Sequence, residues 1–363
     1  MMVLVPRRFP RAARTVLRAA LACHLLGLAG FVSGCGGEGA PILNAVGSYS
    51  DVAIVTDLEL FNPVAFQLEK ALELPLEYSL KPENLLEVDI FDMRNRKKAD
   101  IYKNVIVLGF LNGKDSASRE IQGRLAGEEM KVMGTRGMYI ATRTDVYAQN
   151  QNVLFLAGND RNAMSSGVVA EAPALRGQIE GKNRQRVLEH LLAQGRNVEA
   201  ERQLVSQAGF RLTVPAGYKL NGIKANEDGN MGCAEVVATG PTRSVVVFWR
   251  DVDPATIDLE DTATRLQLRR DWGVFLEERL QDLFGYTWTR EIFRGEEWPM
   301  LAGLYEVDAG GEIFGGPFRT VFVLDGPGRR LYGVNWLAFR PHKPKHVYMR
   351  EVQAIAETFA PRS

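Results

Sequence analysis

Between residues 50 and 160 short apolar runs alternate with helical stretches, and this alternation constrains the fold more than any other feature of the sequence. SDVAIVTD (50–57), LLEVDIFDM (85–93), NVIVLGFL (104–111) and NVLFLAGND (152–160) read as buried strands. Pro63 opens a helix in NPVAFQLEKALE, since proline suits a first helical turn, and SASREIQGRLAGEEM (116–130) reads as another. GMYIATRTDVY (137–147) adds a strand. The expectation is an α/β domain over 50–160.

Residues 161–208 turn helical. RQRVLEHLLAQ puts Val187, Leu188, Leu191 and Leu192 on one stripe, and Gly195 breaks the run. This connector leads to a second domain, 209–363. Its strands are GFRLTVPAGYKL (209–220), SVVVFWRDV (244–252), PMLAGLYEVD (299–308), FRTVFVLD (318–325) and RRLYGVNWLAF (329–339). A Gly-Pro-Gly turn after Asp325 marks the last two as a hairpin. Phe318, Thr320, Phe322 and Leu324 alternate with Arg319, Val321 and Val323, which points one face at the core. Long helices are expected at 262–285 and 345–360, the latter packing Tyr348, Val352, Ile355 and Phe359. Strand runs with helices at the middle and end predict an antiparallel α+β domain.

The first residues read differently. Arg7, Arg8, Arg11, Arg14 and Arg18 precede an apolar run, AALACHLLGLAGFV, and no acid occurs before Glu38. That run is shorter than the roughly 20 residues a membrane span needs. It ends in Val32-Ser33-Gly34-Cys35, which resembles the bacterial lipobox. The resemblance implies a signal peptide over 1–34, an acylated Cys35, a flexible tether over 35–49 reaching on the order of 20 Å, and attachment to the membrane by lipid alone. Gly36, where inner-membrane retention uses aspartate, favours the outer membrane, facing the periplasm. Without residues 1–34 the chain holds 39 basic and 44 acidic residues, a net charge of −5. With no basic run, nucleic acid is not an expected partner. Cys233 is then the one remaining thiol, expected to be packed and inert.

The strands DVAIVTDLEL, NVIVLGFL, DVYAQNQNVLFLAGND and FRLTVPAGYKL, following a lipobox, resemble a family of Gram-negative envelope lipoproteins known as a domain of unknown function. The second half also resembles PsbP/Mog1-like domains, which implies a binding or assembly role. Neither resemblance supplies functional residues beyond Cys35. Phe61 stands where the first family leads one to expect a tryptophan.

Chemistry is sparse. VIVLGFLNGKDS imitates a phosphate loop, but its glycine spacing is one residue short and Asp115 follows Lys114, where a hydroxyl residue would hold Mg²⁺. Asp57, Asp92 and Asp160 each end a strand run and are the weak candidates for a metal, with plain solvated strand ends as the alternative. His342 and His346 have a helical metal spacing that Pro344 interrupts. All five tryptophans fall in the second domain. Tyr286, Trp288 and Trp298 in GYTWTREIFRGEEWP, together with Phe314 at the tip of a GGEIFGG loop, are the candidate partner surface, against the alternative that these rings fill a core. The expected function is a non-enzymatic binding or assembly factor with no cofactor and an envelope protein as partner. The alternatives are a metal-dependent periplasmic hydrolase using the strand-end acids, or a carrier of a small apolar ligand.

Overall fold

The buried runs of the first half become neighbouring strands of one sheet. The computed structural model describes residues 43–75, 83–127, 129, 131, 137–276, 278–280, 286–309, 312–339 and 344–361. Cys35 and His342 lie outside that set. Strands β1 (Asp51–Thr56), β2 (Glu87–Asp92), β3 (Asn104–Phe110), β4 (Met138–Thr144) and β5 (Asn152–Gly158) are arranged β2-β1-β3-β5-β4. The first four of that order are parallel, and β4 closes the edge antiparallel to β5. Successive strand residues serve opposite faces. Val52, Ile54, Ile106 and Leu154 enter one core, and Ala53, Val55, Val105 and Phe155 enter the other. Helices α1 (Leu58–Leu72) and α3 (Arg161–Ala193) cover the first face, and α2 (Ser116–Arg124) covers the second. Both sides being dry explains why the strands are continuously apolar.

Pro63 does not open α1. The helix starts at Leu58, directly after β1, and contains the proline in its second turn. Pro63 removes the N–H that would reach the Glu59 carbonyl. Burial of Phe61, Val64, Ala65, Leu68 and Leu72 in the core outweighs that loss.

The second half is an eight-stranded antiparallel sheet with helices on both faces. Its strands are β7 (Lys219–Ala225), β8 (Met231–Ala238), β9 (Thr242–Asp251), β10 (Glu278–Leu280), β11 (Thr287–Phe293), β12 (Glu296–Ala309), β13 (Glu312–Asp325) and β14 (Arg330–Phe339). The order is β10-β12-β13-β14-β9-β8-β7, with β11 also beside β12. The strand expected at 209–220 is split by its Pro-Ala-Gly turn. Only β6 (Phe210–Arg211) precedes the turn, and it pairs with β15 (Ala360–Pro361) at the other end of this half.

Beyond the short helix α4 (Val198–Gln203), helix α5 (Thr262–Gly273) is shorter than its periodicity predicts. A 3-10 turn, Val274–Leu276, follows Gly273, and residues 278–280 pair with β12 instead of extending the helix. The hairpin β13–β14 forms at the Gly-Pro-Gly turn, yet both of its faces are core. Phe318 and Phe322 lie under α5, while Val321 and Val323 face α6 (His346–Ala356). Trp249, Trp272 and Trp336 are all buried. Trp272 stacks on Phe248 at 5.4 Å and on Phe322 at 5.8 Å. A Cβ at Gly333 would collide with its ring, so glycine there is what lets the indole lie flat on the sheet. Cys233 is packed in the same core.

Residues 43–363 form one unit, and α3 is its spine. Its first turns pack on the parallel sheet through Met164, Val168, Leu175 and Ile179, and Leu188 and Leu191 reach the core beneath α6. Where α3 meets α6, Arg350 donates to both Glu180 carboxylate oxygens at 2.8 Å, to Ser50 Oγ at 3.2 Å and to the Leu85 carbonyl at 3.1 Å. Arg350 and Glu180 are both buried. Glu83 accepts the backbone N–H of Lys345 and of His346 at the start of α6.

Candidate functional site

The strand-end acids lie on parallel strands, as a metal site would need, but the strand order separates them. Asp92 and Asp57 end adjacent strands, whereas Asp160 follows β5, two strands beyond β1. Each carboxylate is engaged at a helix start. Asp92 accepts from Leu58 N at 3.3 Å, and from Arg94 N and Nε at 3.0 and 2.6 Å. Arg94 holds its pKa down to about 2, through the side-chain hydrogen bond first of all. Asp160 caps α3 by accepting from Ala163 N at 2.9 Å. Asp57 accepts from Ala117 N at 2.9 Å, in the first turn of α2. Its pKa is raised, chiefly by desolvation and further by the neighbouring Asp115 carboxylate. Among the described residues no three metal-ligating side chains gather around one point.

The phosphate-loop look-alike is closed by the same chemistry. Asp115 accepts from Ser118 N at 2.9 Å and from Ser118 Oγ at 2.5 Å, and Ser118 Oγ accepts from Phe110 N at 2.8 Å. The backbone N–H groups that a phosphate would use at the start of α2 are therefore held by Asp57 and Asp115.

The candidate aromatic residues do not form one patch. Trp288 pairs across from Leu301, and Trp298 from Glu291, which places the two rings on opposite faces of the sheet. Trp288 is half-buried beneath α5 beside Tyr286, with the Arg265 guanidinium 5.0 Å from its ring centre. Trp298 packs its inner edge on the α6-side core. Phe314 is not at a loop tip: residues 312–316 belong to β13, with Phe314 opposite Val307.

Trp298 lines a cleft of 270 Å³ at the end of the sheet. Phe293 and Val323 form its apolar base, Pro327 and Pro361 its walls, and Arg294, Glu296 and Asp325 its charged groups. Arg294 and Gly295 both have positive φ, 56° and 85°, as a two-residue β11–β12 hairpin requires. Arginine is rarely found in that conformation. Arg294 and Glu296 are exposed, and neither side chain makes a hydrogen bond or ion pair with a described residue. Asp325 accepts from Gly328 N at 3.1 Å within the next turn.

A larger cleft of 430 Å³ near α5 is different in kind. Its charged groups satisfy one another: Arg250 and Gln267 donate to Asp271 at 3.3 and 2.7 Å, and Asp251 takes Arg330 at 2.5 Å. The sequence reading found Trp298 but missed Arg294, Glu296 and Asp325. Its signal was the Arg294-Gly295 pair between alternating residues, which marks a hairpin tip.

Among the described residues no helix is long and apolar enough to cross a membrane. No family model matches the chain, and no curated protein matches it in sequence. Among solved structures, LpqN of Mycobacterium tuberculosis, described as involved in cell envelope biogenesis, is similar at 16% identity over 41% of this chain and 81% of that one, with a TM-score of 0.24. A likeness at that score lends no weight to any role for this chain.

Proposed function

We propose that this protein is a membrane-anchored envelope lipoprotein that acts by binding, and that the Trp298 cleft is where it meets another envelope component. The lipobox-like Val32-Ser33-Gly34-Cys35 and the tether behind it support the anchor. The cleft is the observation that carries the binding reading: an aromatic ring stands beside two charged side chains that the fold itself leaves unengaged. The strand-end acids, being taken up by helix starts, give the hydrolase reading no comparable support. Both clefts are ringed by charged groups, which disfavours a carrier of apolar ligands.

In-cell crosslinking and recovery from detergent-solubilised envelopes tests this. Wild type should give a discrete adduct that Trp298→Ala loses and Trp288→Ala, on the other face, keeps. Metabolic labelling with a palmitate analogue should mark the wild type and not Cys35→Ala, which should also keep the mass of residues 1–34. An adduct indifferent to Trp298→Ala would refute the assigned surface, and absence of lipid label from the wild type, or label that persists in Cys35→Ala, would refute the anchor.

A further inference from the structure

The chemistry of the Trp298 cleft narrows what it can hold. At 270 Å³ it sits just below the ~300 Å³ at which drug-sized pockets begin, so one ring fills it. A free anion is disfavoured because Glu296 and Asp325 face the same space as Arg294. An alkyl chain would strip water from three charged groups and give nothing back. A peptide strand could join only at the outer edge of β11, since β12 is paired on one side by β13 and on the other by β10 and β11, and a strand added there would run in the plane of the sheet and not over the indole face. What remains is a neutral ring with an apolar face to lie on the indole and hydroxyls around its rim. Hydroxyls donate to Glu296 and to the lone pairs of Asp325 that Gly328 N does not use, and accept from Arg294, which engages the two side chains, Arg294 and Glu296, that the fold leaves open.

We propose that the Trp298 cleft is a saccharide-binding site that takes one pyranose ring of a glycan, with Trp298 as the stacking platform and Arg294, Glu296 and Asp325 as the hydroxyl partners. The assignment rests on the binding reading above. The backbone of the Arg294-Gly295 turn supports it: the turn holds arginine at a positive φ, where asparagine or glycine would be less strained, at a position that lines the cleft.

The test is isothermal titration of the full chain in detergent with soluble tetramers of N-acetylglucosamine and of glucose. At least one should bind saturably with one site. Trp298→Ala should weaken it by about 30-fold, the scale of a lost aromatic anchor, and Glu296→Gln by about tenfold. Trp298→Phe should restore part of the affinity, and Trp288→Ala should leave it unchanged. Absence of saturable binding to both tetramers, or binding that survives Trp298→Ala, overturns the saccharide assignment. So does binding of phosphocholine or a proline-rich peptide at the cleft in their place. If the envelope adduct persists in the crosslinking experiment while glycan binding is absent, the saccharide assignment fails and the binding reading stands. If both are absent, both fail.

Discussion

The carboxyl edge of the parallel sheet and the Trp298 cleft hold similar side chains in opposite states. At the first, Asp57, Asp92 and Asp160 are each tied to a helix start by backbone N–H groups. At the second, Arg294 and Glu296 project from a hairpin with no described partner. A group held by the fold contributes to stability and is poorly placed to greet a ligand. A group left open contributes little to stability, and its presence calls for another explanation. Substitutions should therefore divide into two classes, one that lowers stability without affecting binding and one that does the reverse.

The largest effect is expected where engagement is most complete, at the α3–α6 junction. Arg350→Ala leaves the Glu180 carboxylate buried without its bidentate partner, and breaking such a pair costs roughly 3–5 kcal/mol. Urea denaturation of wild type and variant measures it. Replacing Arg350 and Glu180 together by Met and Leu should recover most of the loss, because the penalty comes from the stranded charge. A loss under about 1 kcal/mol for the single variant would show that water reaches the junction.

The capping acids come next. Asp160→Ala should cost about 1 kcal/mol by freeing the Ala163 N–H at the start of α3. Asp92→Ala should cost a similar amount at neutral pH and clearly less at pH 2. With its pKa depressed to about 2 by Arg94, Asp92 contributes stability that is fully present above the ordinary carboxylate range and lost as pH falls through that value. Since Arg94 is exposed, solvent limits the size of the effect. Equal stability losses at pH 7 and pH 2 would detach the contribution from ionisation.

Asp57 runs with the opposite sign. Its raised pKa means that the folded state holds the proton more tightly, so stability declines as pH rises from the unfolded-state value through the folded one. Asp115→Asn keeps a side-chain oxygen for Ser118 N and removes the like charge. The Asp57 carboxyl, followed by NMR titration, should then move down toward its ordinary range while remaining above it, because desolvation is the larger cause. An unchanged titration would mean that the two carboxylates do not sense each other.

Much of this was legible in the sequence because burial on both faces writes itself as unbroken apolar runs. That signal located β1, β2, β3 and β5 and the parallel α/β half. It misled in the second half, where alternation along 318–324 suggested one core face although α5 and α6 cover both. The acids at strand ends were visible, but their partners were not. Leu58, Ala117 and Ala163 contribute backbone N–H groups, which every residue but proline carries and no side-chain pattern reveals. Trp288 and Trp298 looked like one patch because they are close in sequence. An unrecognised hairpin turn between them fixes the register that sends them to opposite faces.

That hairpin gives the smallest effect and the sharpest separation of the two classes. Arg294 holds φ at 56° beside Gly295 at 85°, a geometry that asparagine adopts far more readily than arginine. Arg294→Asn should therefore stabilise the fold, by a few tenths to about 1 kcal/mol, despite removing a long side chain. Since the Arg294 side chain makes no hydrogen bond or ion pair with a described residue, no polar contact within the fold offsets that gain. The same variant should bind glycan several-fold more weakly, through loss of the guanidinium at the cleft mouth. Stability gained together with affinity lost would mark Arg294 as kept for its ligand. If the variant is instead less stable, the turn needs arginine for the fold, and the contrast between an engaged carboxyl edge and an open cleft no longer holds at this residue.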